Sequence, residues 1–182
     1  MARMNNDKQS VVLVDKADRT LASLDKMEAH QLGLLHRAFS VFIFDRKGNM
    51  LIHQRALSKY HCGGLWTNAC CSHPYINELP EVAAQRRLQE ELGFTCEVTK
   101  VFDFVYKATF DNGFTEHEFD HVFVGTYEGA IETDKNEVAQ WKYVSIDWLM
   151  NDLALHTNIY TPWFKIALPM VLECIKKKKL AA

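Results

Sequence analysis

No apolar run in this 182-residue chain reaches bilayer-spanning length, and no signal-peptide core follows the polar stretch from Met1 to Ser10. A dominant charge is also missing. A formal net charge of -2 gives no electrostatic reason to expect nucleic acid or an anionic membrane as a partner. The five cysteines (Cys62, Cys70, Cys71, Cys96, Cys174) are odd in number and lack a framework spacing, so reduced thiols in a cytoplasmic protein are expected. Repeats and linker-like stretches are absent too. One domain over residues 1–182 is therefore expected, with 1–10 a flexible tail, as a monomer or a homodimer.

What is present is ordinary globular material, 48% hydrophobic and 24% charged, enough to build a core without staples. Residues 11–14 read as a short strand followed by a turn at 15–18, whereas 24–35 is mixed and gives no clear assignment. Residues 39–45 and 50–54 are apolar runs joined by Arg46-Lys47-Gly48-Asn49, a hairpin pattern. Residues 55–64 read as loop. The clearest helix is 80–92, with Pro80 at its first position, Gly93 as its left-handed stop, and Ala84, Leu88 and Leu92 as its apolar stripe. A second hairpin is expected from 98–109 and 114–127 around Asp111-Asn112-Gly113. Then come a strand at 141–144, a short helix at 145–150 capped by Ser145, and a terminal helix at 162–178. Its lysines, Lys176 to Lys179, suit the negative end of that helix. Hairpins mixed with two or three helices imply an α+β fold on a mixed sheet.

Three groups of residues could carry chemistry. In Cys71-Ser72-His73-Pro74, an extended backbone puts Cys71 and His73 on one face, where they could form a metal site, a thiolate–imidazolium pair, or nothing. In the stretch from Thr115 to Val122, a strand would put Glu116, Glu118 and Asp120 on one face, successive carboxylates roughly 6–7 Å apart. Charged residues are seldom buried without a partner, so that face is expected to meet solvent, with Phe119 and Phe123 facing the core. On the helix, Arg86 with Glu90 and Arg87 with Glu91 are one turn apart, the spacing of exposed ion pairs. Scattered among these are His30, His36 and His73. Three imidazoles with two carboxylates would suit a divalent cation, but only a fold can gather them.

The segment from Ser72 to Phe94 resembles a Nudix box, a loop and helix that hold a diphosphate through divalent metal. Ser72 stands at its opening glycine, Glu78 and Arg86 match, Glu90, Glu91 and Gly93 are retained, and Arg87 replaces an acidic residue. Losing that carboxylate argues against ordinary Nudix hydrolysis. Together with Trp66-Thr67-Asn68, Cys71-Ser72-His73-Pro74 and Glu116-His117-Glu118, the box is similar to that of the type I isopentenyl diphosphate isomerases, from about Val12 to the terminal helix.

That resemblance implies a Nudix-type α/β/α sandwich with a mixed sheet, acting on a small prenyl diphosphate. It implies a metal site of His30, His36, His73, Glu116 and Glu118, filled by Mn2+, Zn2+ or Mg2+. Cys71 and Glu118 would be catalytic, with Tyr106 as a possible relay. Lys26, Arg55, Lys59 and Arg87 would hold the diphosphate with a Mg2+ ion on Glu91, and Tyr106 and Trp163 would line the hydrocarbon pocket. In this sequence His30 and His36 are separated by five residues, one fewer than in the bacterial pattern, and His61-Cys62-Gly63-Gly64 departs from the family's usual segment. A hydrolase of a nucleoside or prenyl diphosphate, or a non-catalytic metal-binding domain, are the alternative readings.

Overall fold

The structure, a computed structural model, describes residues 9–180. The tail expected at 1–10 lies outside that range except for Gln9 and Ser10, and Ser10 already begins a strand. The strands are β1 (Ser10–Val14), β2 (Thr20–Asp25), β3 (His36–Phe44), β4 (Met50–Arg55), β5 (Trp66–Thr67), β6 (Cys70–Ser72), β7 (Val98–Thr109), β8 (Thr115–Thr126) and β9 (Val138–Val144). The helices are α1 (Lys26–Leu32), α2 (Pro80–Leu92), α3 (Ile146–Leu155) and α4 (Pro162–Leu180). The segment left unassigned at 24–35 is the end of β2 and α1. Asp25 caps α1 by accepting from Met27 N and Glu28 N, and Gly33 ends it at φ 61°.

β3 is the axis of the sheet. On one side it runs parallel to β8, with His36 opposite Glu118 and Ser40 opposite Val122. On the other it is paired successively with β1, β6 and β4, all antiparallel. Both expected hairpins form, β3–β4 through only two residue pairs and β7–β8 along nearly its whole length. β9 adds to the far edge of β4.

Side-chain alternation along β3 separates two cores. Phe39, Val41 and Ile43 face α2, meeting Ala83, Ala84, Leu88 and Leu92. Phe42, with Met50, Ile52 and Val122, faces α3 and α4 through Leu149, Phe164, Ala167 and Leu168. Helices thus cover both sheet faces, the expected α/β/α sandwich. Gly93 closes α2 at φ 74°, and a Cβ there would lie 2.6 Å from the Glu132 carbonyl oxygen, so the stop requires glycine on two counts.

The expectation for β8 is overturned. Glu116, Glu118 and Asp120 are 3%, 8% and 0% exposed, and Phe119 and Phe123 are buried on the other face. A strand inside a sheet covered on both sides has no solvent face, so period-two alternation here separates two interiors.

Candidate active site

Three elements converge on the buried carboxylates of β8. From α1, His30 Nε2 lies 3.0 Å from Glu116 Oε2. From β3, His36 Nε2 lies 3.9 Å from that oxygen and 3.7 Å from Glu118 Oε1. From just beyond β6, His73 Nε2 lies 3.0 Å from Glu118 Oε1. One ligand atom from each of the five lies within 4.8 Å of all the others, and the shorter His30–His36 spacing does not take His30 out of the cluster.

These residues fit a divalent cation. His30 and His36 each turn Nδ1 to a backbone carbonyl, Lys26 O at 2.5 Å and Leu34 O at 2.8 Å. A carbonyl only accepts, so Nδ1 carries the hydrogen and Nε2 presents a lone pair to the cluster. His36 Nε2 is buried without a hydrogen-bond partner, an orphan that a cation would satisfy. Burial pushes His73 down to about 3, the Glu118 contact notwithstanding, so its imidazole is neutral. Burial works against the Glu116 charge too, yet the hydrogen bond to His30 and the close contact with His61 outweigh it and hold its pKa well below the usual range.

The cations expected to hold diphosphate, Lys26, Arg55, Lys59 and Arg87, all line the cleft over this cluster. Burial drives the Lys26 pKa down. Arg87 is not an exposed pair partner as its helix spacing implied. It donates to the 3%-exposed Glu91 at 2.5 Å and to Glu90 at 2.8 Å, and lies 3.3 Å from Glu137, which also pairs with Lys59. Arg86 has a different task, gripping both oxygens of Glu78 at 2.7 and 2.8 Å and covering the Tyr75 ring. It pins the loop that leads into α2.

Cys71 sits among oxygens whose hydrogens are already committed. Asn68 donates its amide to Val41 O and Cys70 O, which turns its Oδ1 to Cys71 Sγ at 2.9 Å. Thr67 Oγ1 accepts from Trp163 Nε1 and Thr161 Oγ1 and donates to Asn68. Ser40 donates to Asp120 at 2.7 Å and stands 3.6 Å from the thiol. Burial, with Asp120 nearby, pushes Cys71 up to about 12, so it is a neutral thiol at physiological pH. Also lining the cleft, Tyr106 donates its hydroxyl to Glu118 Oε2 at 2.6 Å, leaving Oε1 to the histidines. Trp163 does two things at once: its N–H staples α4 to Thr67 while its ring lines the cleft, 5.4 Å from the Arg55 guanidinium.

Every site residue expected from the sequence thus reaches this cleft or the metal cluster beneath it. Sequence reasoning passed over Asn68, Ser40, Asp120, Glu137 and His61. Asp120 was visible as the third carboxylate on the face of β8. Asn68 belongs to the Trp66-Thr67-Asn68 motif, three residues from its partner Cys71, whereas Ser40, Glu137 and His61 carry no local signal, because each acts on a partner distant in sequence.

The sheet between helices, with a cationic cleft beside the α2 loop, defines a class. Residues 34–164 match the NUDIX domain family. A crystal structure from Deinococcus radiodurans shares the fold with a TM-score of 0.67 at 16% identity, covering 81% of this chain and 90% of that one. Among curated relatives, an isopentenyl-diphosphate Delta-isomerase of Burkholderia multivorans is 47% identical, covering 86% of this chain and 89% of its own. Isopentenyl-diphosphate Delta-isomerase 2 of Photorhabdus laumondii is also 47% identical, over 85% of this chain and 88% of its own. The chain belongs to the Nudix family, within its isopentenyl-diphosphate Delta-isomerase branch.

Proposed function

We propose that this chain interconverts isopentenyl diphosphate and dimethylallyl diphosphate by adding a proton at the terminal carbon of the double bond and removing one from the allylic methylene. The carrying observation is the pair of proton-holding groups lining one cleft: the Cys71 thiol, and the Tyr106 hydroxyl bound to Glu118. An alkene is a very weak base, so the acid must be held against it where water is excluded. Protonation at the terminal carbon leaves a tertiary carbocation, and loss of a proton from the adjacent methylene completes the shift. One of these groups supplies the first proton and the other accepts the second. The indole of Trp163 faces the same space, where its π face stabilises a cation that a water molecule would otherwise capture.

Lys26, Arg55, Lys59 and Arg87 bind the diphosphate. Arg87 in place of a Nudix acid turns a hydrolytic box into a phosphate clamp, since it adds a donor where hydrolysis needs a carboxylate. A Mn2+, Zn2+ or Mg2+ ion held by His30, His36, His73, Glu116 and Glu118, and a Mg2+ ion shared by Glu91 and the substrate, would supply Lewis-acid charge when bound. Burial raises the pKa of Glu91 in the absence of that charge, and its Arg87 contact keeps it oriented toward the cleft. The free cysteines suit a cytoplasmic location.

Incubating the protein with isopentenyl diphosphate and Mg2+ in deuterated water tests this reading. Dimethylallyl diphosphate carrying deuterium, with no phosphate released, is expected. Release of phosphate or a monophosphate would make the chain a hydrolase, and recovery of unlabelled substrate would make it a binding domain.

A further inference from the structure

We propose that His61 is a positioning residue that makes Glu116 a one-oxygen metal ligand. The inference rests on the five-residue metal site above and extends it to a side chain outside that group. The two oxygens of Glu116 are divided. Oε2 faces the ligand histidines, 3.0 Å from His30 Nε2 and 3.9 Å from His36 Nε2. Oε1 is in ion-pair contact with His61 Nε2. With its proton on Nε2, His61 would occupy that oxygen and restrict rotation of the carboxylate about its terminal bond. The cation then receives Oε2 alone, where an unrestrained carboxylate could swing to offer both.

The surroundings leave His61 little freedom to do anything else. It is buried, and its ring stacks on Phe110 with centroids 5.0 Å apart and planes 12° apart. Tyr60 and Trp163 meet it edge-on at 4.4 and 6.0 Å. The backbone supports the same placement. Arg55 donates to the His61 carbonyl at 3.4 Å, and Cys62 takes a left-handed φ of 52° directly after it. At Gly63 a Cβ would stand 2.7 Å from the Leu57 carbonyl oxygen, so the loop can close there only with glycine. The segment that departs from the family's usual sequence, His61-Cys62-Gly63-Gly64, therefore has a shape that delivers an imidazole to the back of a metal ligand. The same ring meets Trp163 and so connects the metal cluster to the hydrocarbon wall of the cleft.

The test is Mn2+ binding without substrate, measured by equilibrium dialysis of chelator-stripped protein. Wild type is compared with His61→Phe, His61→Gln and His73→Ala, with metal-free melting temperatures taken on the same samples. His61→Phe keeps the ring against Phe110 and loses the N–H. It is expected to weaken Mn2+ by about 10–100-fold, the usual effect of losing a partner behind a ligand, with its metal-free melting temperature unchanged. His61→Gln, whose amide can donate from a similar distance, should recover most of the affinity. Wild-type affinity in His61→Phe overturns the inference while leaving the metal site intact, provided His73→Ala has lost its metal. Equal weakening of the Phe and Gln variants together with lower melting temperatures also overturns it, by showing that His61 only packs. Failure of wild type and His73→Ala alike to hold Mn2+ would overturn this inference and the metal site together.

Discussion

Cys70 and Cys71 are neighbours in sequence and face opposite sides of the sheet. β6 pairs with β3 so that Cys71 lies opposite Ser40 and Cys70 opposite Val41. Cys71 consequently points to the cleft. Cys70 points into the core under α2, fully buried, where its Sγ donates to Glu91 Oε1 at 3.5 Å. Cys71→Ala should therefore lower turnover by about 10²–10⁴-fold, the typical cost of losing a positioned acid or base. Cys70→Ala removes a small core side chain and should keep most of the turnover, at the expense of a lower melting temperature. Turnover and thermal melts on both variants check this. Near-normal activity in Cys71→Ala would remove the thiol from the reaction.

At the scale of the element, β8 bears the greatest electrostatic load, with three carboxylates on one face and none exposed. Glu116 and Glu118 are met by histidines. Asp120 has only the Ser40 hydroxyl, and its other oxygen has no partner. Burial, with the Glu118 charge close by, pushes its pKa well above the carboxylate range, which favours its protonated form in the metal-free folded chain. In the unfolded chain an aspartate titrates near about 3.9. Above that pH, folding must take up a proton, and stability declines as pH rises, by about 1.4 kcal/mol per unit for one group, until the folded pKa is reached. Asn lacks that proton requirement and has nearly the same shape. Metal-free Asp120→Asn should thus be more stable than wild type at neutral pH, with the difference closing toward about pH 4. Urea unfolding at both pH values measures it. A variant less stable at neutral pH would mean that Asp120 is ionised in the fold.

Across the whole molecule, the metal cluster joins elements that have no local reason to meet. α1, β3, the end of β6 and β8 each contribute, and their ligand atoms come within 4.8 Å. A cation binding the folded state alone would stabilise the assembly by about 2.7 kcal/mol at a hundredfold excess over its Kd. Ligand imidazoles must be neutral, and although burial opposes the His30 charge the Glu116 contact outweighs it and raises its pKa, so bound metal should be retained at pH 7.5 and released as pH falls below about 6. His73→Ala should fail to retain it at either pH. Metal analysis after gel filtration, with melts before and after chelation, reads both effects. Equal metal content in wild type and His73→Ala would argue against the cluster.

The sequence by itself determined the elements whose signals are local. Pro80 and Gly93 bracket α2, Gly48-Asn49 and Asn112-Gly113 mark the two hairpins, and Ser145 caps α3, its Oγ accepting from Trp148 N. The motifs in residues 66–94 and 116–118 also sufficed to identify the family. Local signals failed where burial was decided by a third body. β2 is almost wholly exposed and shows no hydrophobic alternation, and α1 is seven residues long, too short for a periodicity to register. Whether Glu116, Glu118 and Asp120 met solvent or core depended on α1, the segment after β6 and the loop at 60–64 covering that face, contacts made across 45 to 86 positions of sequence. The same holds for Arg87 and Glu91, whose spacing is that of any surface ion pair. Only the sheet beneath α2 and Glu137 beside it make the pair part of a cleft. Spacing along the chain fixes which side chains share a face, but what lies against that face depends on the packing of distant segments, and that packing decided the site.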